Sequence, residues 1–261
     1  TAGGNITQTG SLISSNAGLL TAKTLSAGTA NITLSDSGNA FANVDLRARN
    51  AGDSANANGA ITYRDTDALV VSTIGTTGNV TLTTGGALTQ SGAIVGGLLT
   101  ATTLNNTPAV ITLTNAGNDV TGINLSTRNA ANSANVAAAI QYLDANGFDV
   151  AGINTTSTVN LTSGGAITDS GSINGTTLTT SSVSGTILDF NFHHVTGFIA
   201  TNTTSGDIVL ANQSDALPTL NTLTLGNVSN NAVGGNVSLT NYGAITLPIA
   251  TNVYSSGGSL D

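Results

Sequence analysis

Apolar and small polar residues alternate along this chain in short runs, and glycine closes each run. The pattern is clearest over 78–94, where Val80, Leu82, Leu88 and Ile94 are separated by Thr, Gly, Ser and Gln. It returns over 157–173 with Val159, Leu161, Ile167 and Ile173, in part over 6–12, and more loosely over 235–245. Period-two alternation bounded by Gly, Asn and Ser predicts short half-buried strands joined by tight turns. Val80, Leu82, Leu88 and Ile94 are then inward positions, and Gly85, Gly86 and Gly92 are corners.

The runs belong to a longer repeat. Ile32 and Leu34 match Ile111 and Leu113; Arg49 matches Arg128; Tyr63 and Asp65 match Tyr142 and Asp144; Val80 matches Val159. The sequence numbers within every pair differ by 79. Upstream, Ile6 and Leu88 differ by 82, which places three extra residues near 14–16. Two copies, roughly 5–83 and 88–162, precede a degenerate third over 164–261, all within a single domain over 1–261. About four coils of roughly 20 residues fill one unit, the scale of a β-solenoid. The expected fold is all-β: a right-handed parallel β-helix (β-solenoid) of about 13 coils, with rungs ~4.8 Å apart. The alanine-rich segment 133–143 looks helical, but its counterpart over 54–64 carries Gly59 and Thr62, so loop followed by strand is expected in both copies. The third region is less regular and gathers Phe190, Phe192, Phe198 and both histidines, with Pro218 and Pro248 at turns or edges.

Composition narrows the function. Charged residues are 7% of the chain and the formal net charge is −8, which argues against a nucleic-acid partner, since phosphate binding needs clustered Lys and Arg. No apolar run is long enough to cross a bilayer as a helix. The chain opens at Thr1 without Met and without a signal peptide, so an internal segment of a larger or processed protein is expected. The absence of Cys fits export of an unfolded chain through a channel.

Candidate chemistry is sparse. His193 and His194 form the only histidine cluster, with Asp189 the nearest carboxylate in sequence; adjacent strand residues face opposite ways, so a shared metal needs a turn there. Asp65 and Asp67 form a D-x-D, a pairing that could serve acid–base chemistry; the second copy keeps Asp144 but has Asn146, with Asp149 beyond. Turn-capping is the expected role. The 13 aspartates are scattered and no calcium loop motif occurs. Asn-x-Thr triplets such as the one at Asn79 follow from alternation. No catalytic, cofactor-binding or metal residue is therefore assigned, and no cofactor is expected.

The stretches over 78–94 and 157–173, followed by 98–104 and 177–183, resemble repeats of filamentous haemagglutinin-like exoproteins of two-partner secretion, over about residues 1–182. The resemblance implies a β-helical shaft, export through an outer-membrane transporter and a place on the bacterial cell surface. The Asn-Pro motifs of that family's secretion domain are absent. The expected function is a non-enzymatic segment of an exported surface fibre, an adhesin or stalk making weak multivalent contacts with a host or neighbouring cell surface or glycan. The alternatives are a self-assembling extracellular filament or biofilm matrix protein, stacking end to end, and a β-helical polysaccharide-degrading enzyme.

Overall fold

The computed structural model describes residues 1–14, 18–190, 192–212 and 221–261. The extra residues expected near 14–16 lie largely outside this set, as does Pro218. Among the described residues, 24 strands join one sheet, and every pairing between them is parallel. Parallel neighbours need a long crossover. Here the chain supplies it by winding about an axis, so each strand meets the strand one winding before and the strand one winding after.

The register shows how alternation becomes a core. One row of partners runs Ile6, Ile32, Ile61, Val80, Leu99, Ile123. Another runs Leu69, Leu88, Ile111, Ile140, Val159, Leu178, Phe198, Leu225. Nearly all of these side chains are fully buried, and so are all four inward positions read from 78–94. Stacking like over like lets each aliphatic group meet its equivalents above and below. Outward positions between them carry Thr, Ser and Asn.

The expected right-handed β-solenoid of about 13 coils is corrected by the shape of this wall. Sixteen of these parallel strands sweep 336° about an axis, which makes a nearly closed barrel rather than an open solenoid. Alternation determines which side chains face inward, but says nothing about how far the wall wraps. Nor are the windings uniform in length. The step from Ile61 to its partner Val80 is much shorter than the step from Ile32 to Ile61. Loops inserted at corners make up the difference.

The corners explain the glycines. A Cβ on Gly85 would lie 1.9 Å from the Thr66 carbonyl oxygen, and one on Gly164 would lie 2.0 Å from that of Ala145. Stacked turns therefore touch backbone to backbone, and only glycine fits. The segment that looked helical is loop followed by the strand Ile140–Asp144, as in its counterpart Ile61–Asp65.

The repeat unit does not match a whole number of windings. Three windings carry Ile32 to Ile61, Val80 and Leu99 in one row; its copy, Ile111, lies one face further on, in the row of Leu88 and Ile140.

Buried amides inside the wall are paired across windings. Asn118 is fully buried. Its Nδ2 donates to the carbonyls of Leu113 at 3.2 Å and Leu143 at 2.9 Å, and its Oδ1 accepts from Ile94 N at 2.9 Å and Gln90 Nε2 at 2.8 Å. Asn39 does the same with Leu34, Arg64, Leu12 and Gln8. One side chain thus serves three windings. Asn118→Ala leaves several of these groups without partners and should cost about 2–4 kcal/mol. A urea titration checks this; a loss below about 1 kcal/mol would mean that water takes over the bonds.

Candidate ligand-binding surface

The residues that drew attention in the sequence are structural. Asp65 is buried, and its carboxylate accepts from Tyr63 Oη at 2.7 Å, Phe41 N at 2.9 Å and Asp67 N at 2.9 Å. Asp67 itself is exposed in the turn, so the two carboxylates do not converge. Asp144 repeats the arrangement with Tyr142 at 2.6 Å, Val120 at 3.0 Å and the Asn146 backbone at 2.9 Å. Asp149 accepts from Ser170 Oγ at 2.6 Å. The turn-capping expectation describes Asp65 and Asp144, which in addition hold a buried phenol.

His193 points inward and is 1% exposed. Its carboxylate neighbour is not Asp189, which is exposed, but Asp169 from the preceding winding, 2.8 Å from Nε2 yet outside hydrogen-bonding alignment. Nδ1 accepts from Ile173 N at 3.1 Å, so the proton sits on Nε2. Asp169 stands where the earlier copies have Gln90 and Gln8, and Ile173 stands where they have Ile94 and Leu12. The Asp169–His193 pair therefore occupies the place of Gln90–Asn118 and Gln8–Asn39. No three metal-ligating side chains cluster among the described residues. Phe198 is buried, whereas Phe190 and Phe192 form an exposed edge-to-face pair with centroids 5.5 Å apart.

What remains for function is the outward face. Thr7, Thr33, Thr62, Thr81 and Thr100 stand in register on successive strands, followed by Asn124. Beside them run Thr83, Thr102, Ser126, Asn154 and Asn174. Neighbours across the rows lie ~4.8 Å apart, and outward residues along a strand ~6.8 Å apart. Over the second copy, Thr100, Thr102, Asn124, Ser126, Arg128, Asn132 and Asn154 line an open groove of about 400 Å³. Sequence reasoning missed it because its members become neighbours only through register. The available signal was the constant offset applied to polar positions as well as apolar ones.

A hairpin closes one end of the groove. Arg128 and Asn135 form an antiparallel bridge, and Asn132 turns the tip at φ 54°. Arg128 bolts the loop: Nε donates to Asn132 Oδ1 at 3.1 Å, Nη2 to Asn132 O at 3.0 Å, and Nη1 to Asn135 Oδ1. In the first copy Arg49 holds Asp53 and Asn56 in the same way.

The matching family is described as repeats of unknown function (DUF5649), over residues 1–46 and 58–127, less than half of the chain. The match breaks at the first hairpin. No curated protein and no solved structure matches the chain. The resemblance to filamentous haemagglutinin-like exoproteins is corrected accordingly: the similarity found is to these repeats, and the wall is closed rather than an open shaft. The descriptions that followed from it, β-helix, adhesin and two-partner secretion, fall with it.

Two outcomes test the structural reading. His193→Ala should destabilise by about 2–4 kcal/mol, because Ile173 N loses its acceptor and Asp169 its neighbour. The double variant Asp169→Gln, His193→Asn copies the earlier pairs and should recover most of that loss in the same denaturation assay; no recovery would show that the pairs are not equivalent. Burial pushes the Asp144 carboxyl above its ordinary value of 3.8, against the bonds from Tyr142, Asn146 and Val120 that pull it down. Its contribution to stability is thus full below 3.8 and is lost as pH rises through the folded value. Tyr142→Phe removes a bond that favours the ionised form, so the pH window of that loss should move upward in urea midpoints measured from acid to neutral pH. An unmoved or lowered window contradicts the assignment.

Proposed function

We propose that the chain is a non-catalytic binding scaffold, working outside the cell, that holds a saccharide on its outward rows of Thr, Ser and Asn. The observation that carries this reading is the registered polar surface over 81–154, where hydroxyl and amide groups that can both donate and accept stand at fixed spacing above a rigid apolar core. Sugar hydroxyls present the same dual character. The Cys-free chain supports an extracellular place, since nothing in it could form a premature disulfide during export.

Three earlier expectations are corrected. The rod or stalk of a surface fibre, and the filament built from it, rested on an open solenoid, and the wall is nearly closed. The polysaccharide-degrading enzyme needed convergent carboxylates, and Asp65 is buried and occupied while Asp67 faces solvent. The outer-membrane transporter rested on the family resemblance and is carried no further.

A glycan panel tests the proposal. The intact chain should bind at least one polysaccharide reversibly and release no reducing ends. Thr102→Val with Asn124→Leu should weaken that binding about tenfold, roughly 1.4 kcal/mol, with an unchanged circular dichroism spectrum. Absence of binding across the panel, or release of product, would refute it.

A further inference from the structure

The two copies of the groove differ in one systematic way. In the first, Lys23 Nζ lies 2.5 Å from Asp53 Oδ2, Arg49 Nε lies 3.0 Å from Asp53 Oδ1, and Arg47 Nε lies 2.6 Å from Asp45 Oδ1. Shifted by the repeat offset, Lys23 becomes Thr102, Asp45 becomes Asn124, Arg47 becomes Ser126 and Asp53 becomes Asn132. Of the charged members only the arginine survives, Arg49 as Arg128. The net charge of the set is +1 in both copies, but its distribution is not the same. In the first copy three ion pairs engage every charged member. The second is a neutral shelf with one guanidinium that no carboxylate reaches among the described residues. Arg64 also lacks an ion pair, but it sits within electrostatic reach of Asp36.

Arg128 is held ready. Three of its N–H groups are spent on Asn132 and Asn135, which fixes its plane. A guanidinium has five, so two remain. The shelf beside it carries short side chains. Thr73 of the first copy becomes Gly152, and the Asn124 side chain packs over it, its Oδ1 3.2 Å from where a Cβ would stand. Short Thr102 and Ser126 in place of the long Lys23 and Arg47 leave the groove open in front of a fixed cation.

Resting on the saccharide-binding reading, we infer that the groove of the second copy selects an acidic saccharide, its carboxylate received by Arg128 and its hydroxyls by Thr100, Thr102, Asn124, Ser126 and Asn154. A planar carboxylate matches the guanidinium fork, and a guanidinium already immobilised loses little freedom on binding. The first copy offers the same two N–H groups on Arg49, but there the guanidinium is already neutralised by the Asp53 carboxylate, which would repel a second one.

Calorimetry with a mannuronate hexamer and its neutral methyl ester tests the inference on the intact chain. The acid form should bind at least about tenfold more tightly, and high salt should shrink that margin, because screening weakens exposed charge pairs. Arg128→Gln should abolish the preference. Asn132→Asp with Thr102→Lys, which installs the first copy's ion pair and keeps the bolted loop, should abolish it as well. Arg49→Gln should leave it unchanged. Equal binding of the two forms, or a preference that survives both second-copy variants, overturns the inference while leaving the saccharide reading intact. Binding of neither form, with no other glycan bound, defeats both. Equal binding of a poly-aspartate peptide would overturn the choice of a saccharide.

Discussion

Parallel register is the constraint on which everything else depends. Each winding offers its backbone donors and acceptors to the next, and a strand placed one residue out would turn its whole apolar set outward. Identical or similar residues therefore come to lie over one another. Inside, this yields aliphatic rows such as Leu69, Leu88, Ile111 and Ile140. Outside, it discourages like charges, which would repel at strand spacing, and the near absence of charge in the sequence follows.

The same constraint governs the buried polar groups. A corner facing the interior exposes backbone groups that no strand partner can satisfy, and the chain meets the need with amides that bridge windings. Asn39 and Asn118 do so in the first two copies, and Asn202–Asn230 and Asn212–Asn241 extend the device toward the other end. The Asp169–His193 pair is a chemical variant of it.

Much of this was legible in sequence. Val80, Leu82, Leu88 and Ile94 were readable as inward because alternation and burial express the same geometry. The constant offset matched Arg49 with Arg128, but the hairpin that follows each arginine was visible only in the structure. Closure of the wall was not legible, because curvature depends on corner loops of unequal length. His193 misled because its partner, Asp169, is adjacent only across a winding. The groove was hidden for the same reason: Thr102, Ser126 and Asn154 are a full winding apart along the chain and side by side in register.

Because the repeat unit exceeds three windings by one face, duplication here does not superimpose. The hairpin after Arg128 leaves the wall from a different side than the hairpin after Arg49. A new copy arrives without a neighbour of its own kind, free of the steric and electrostatic demands that hold stacked equivalents alike. Its surface can drift in charge and shape while its core stays fixed by register. Lengthening such a protein thus multiplies directions rather than avidity, and gives each side of the molecule its own selective history.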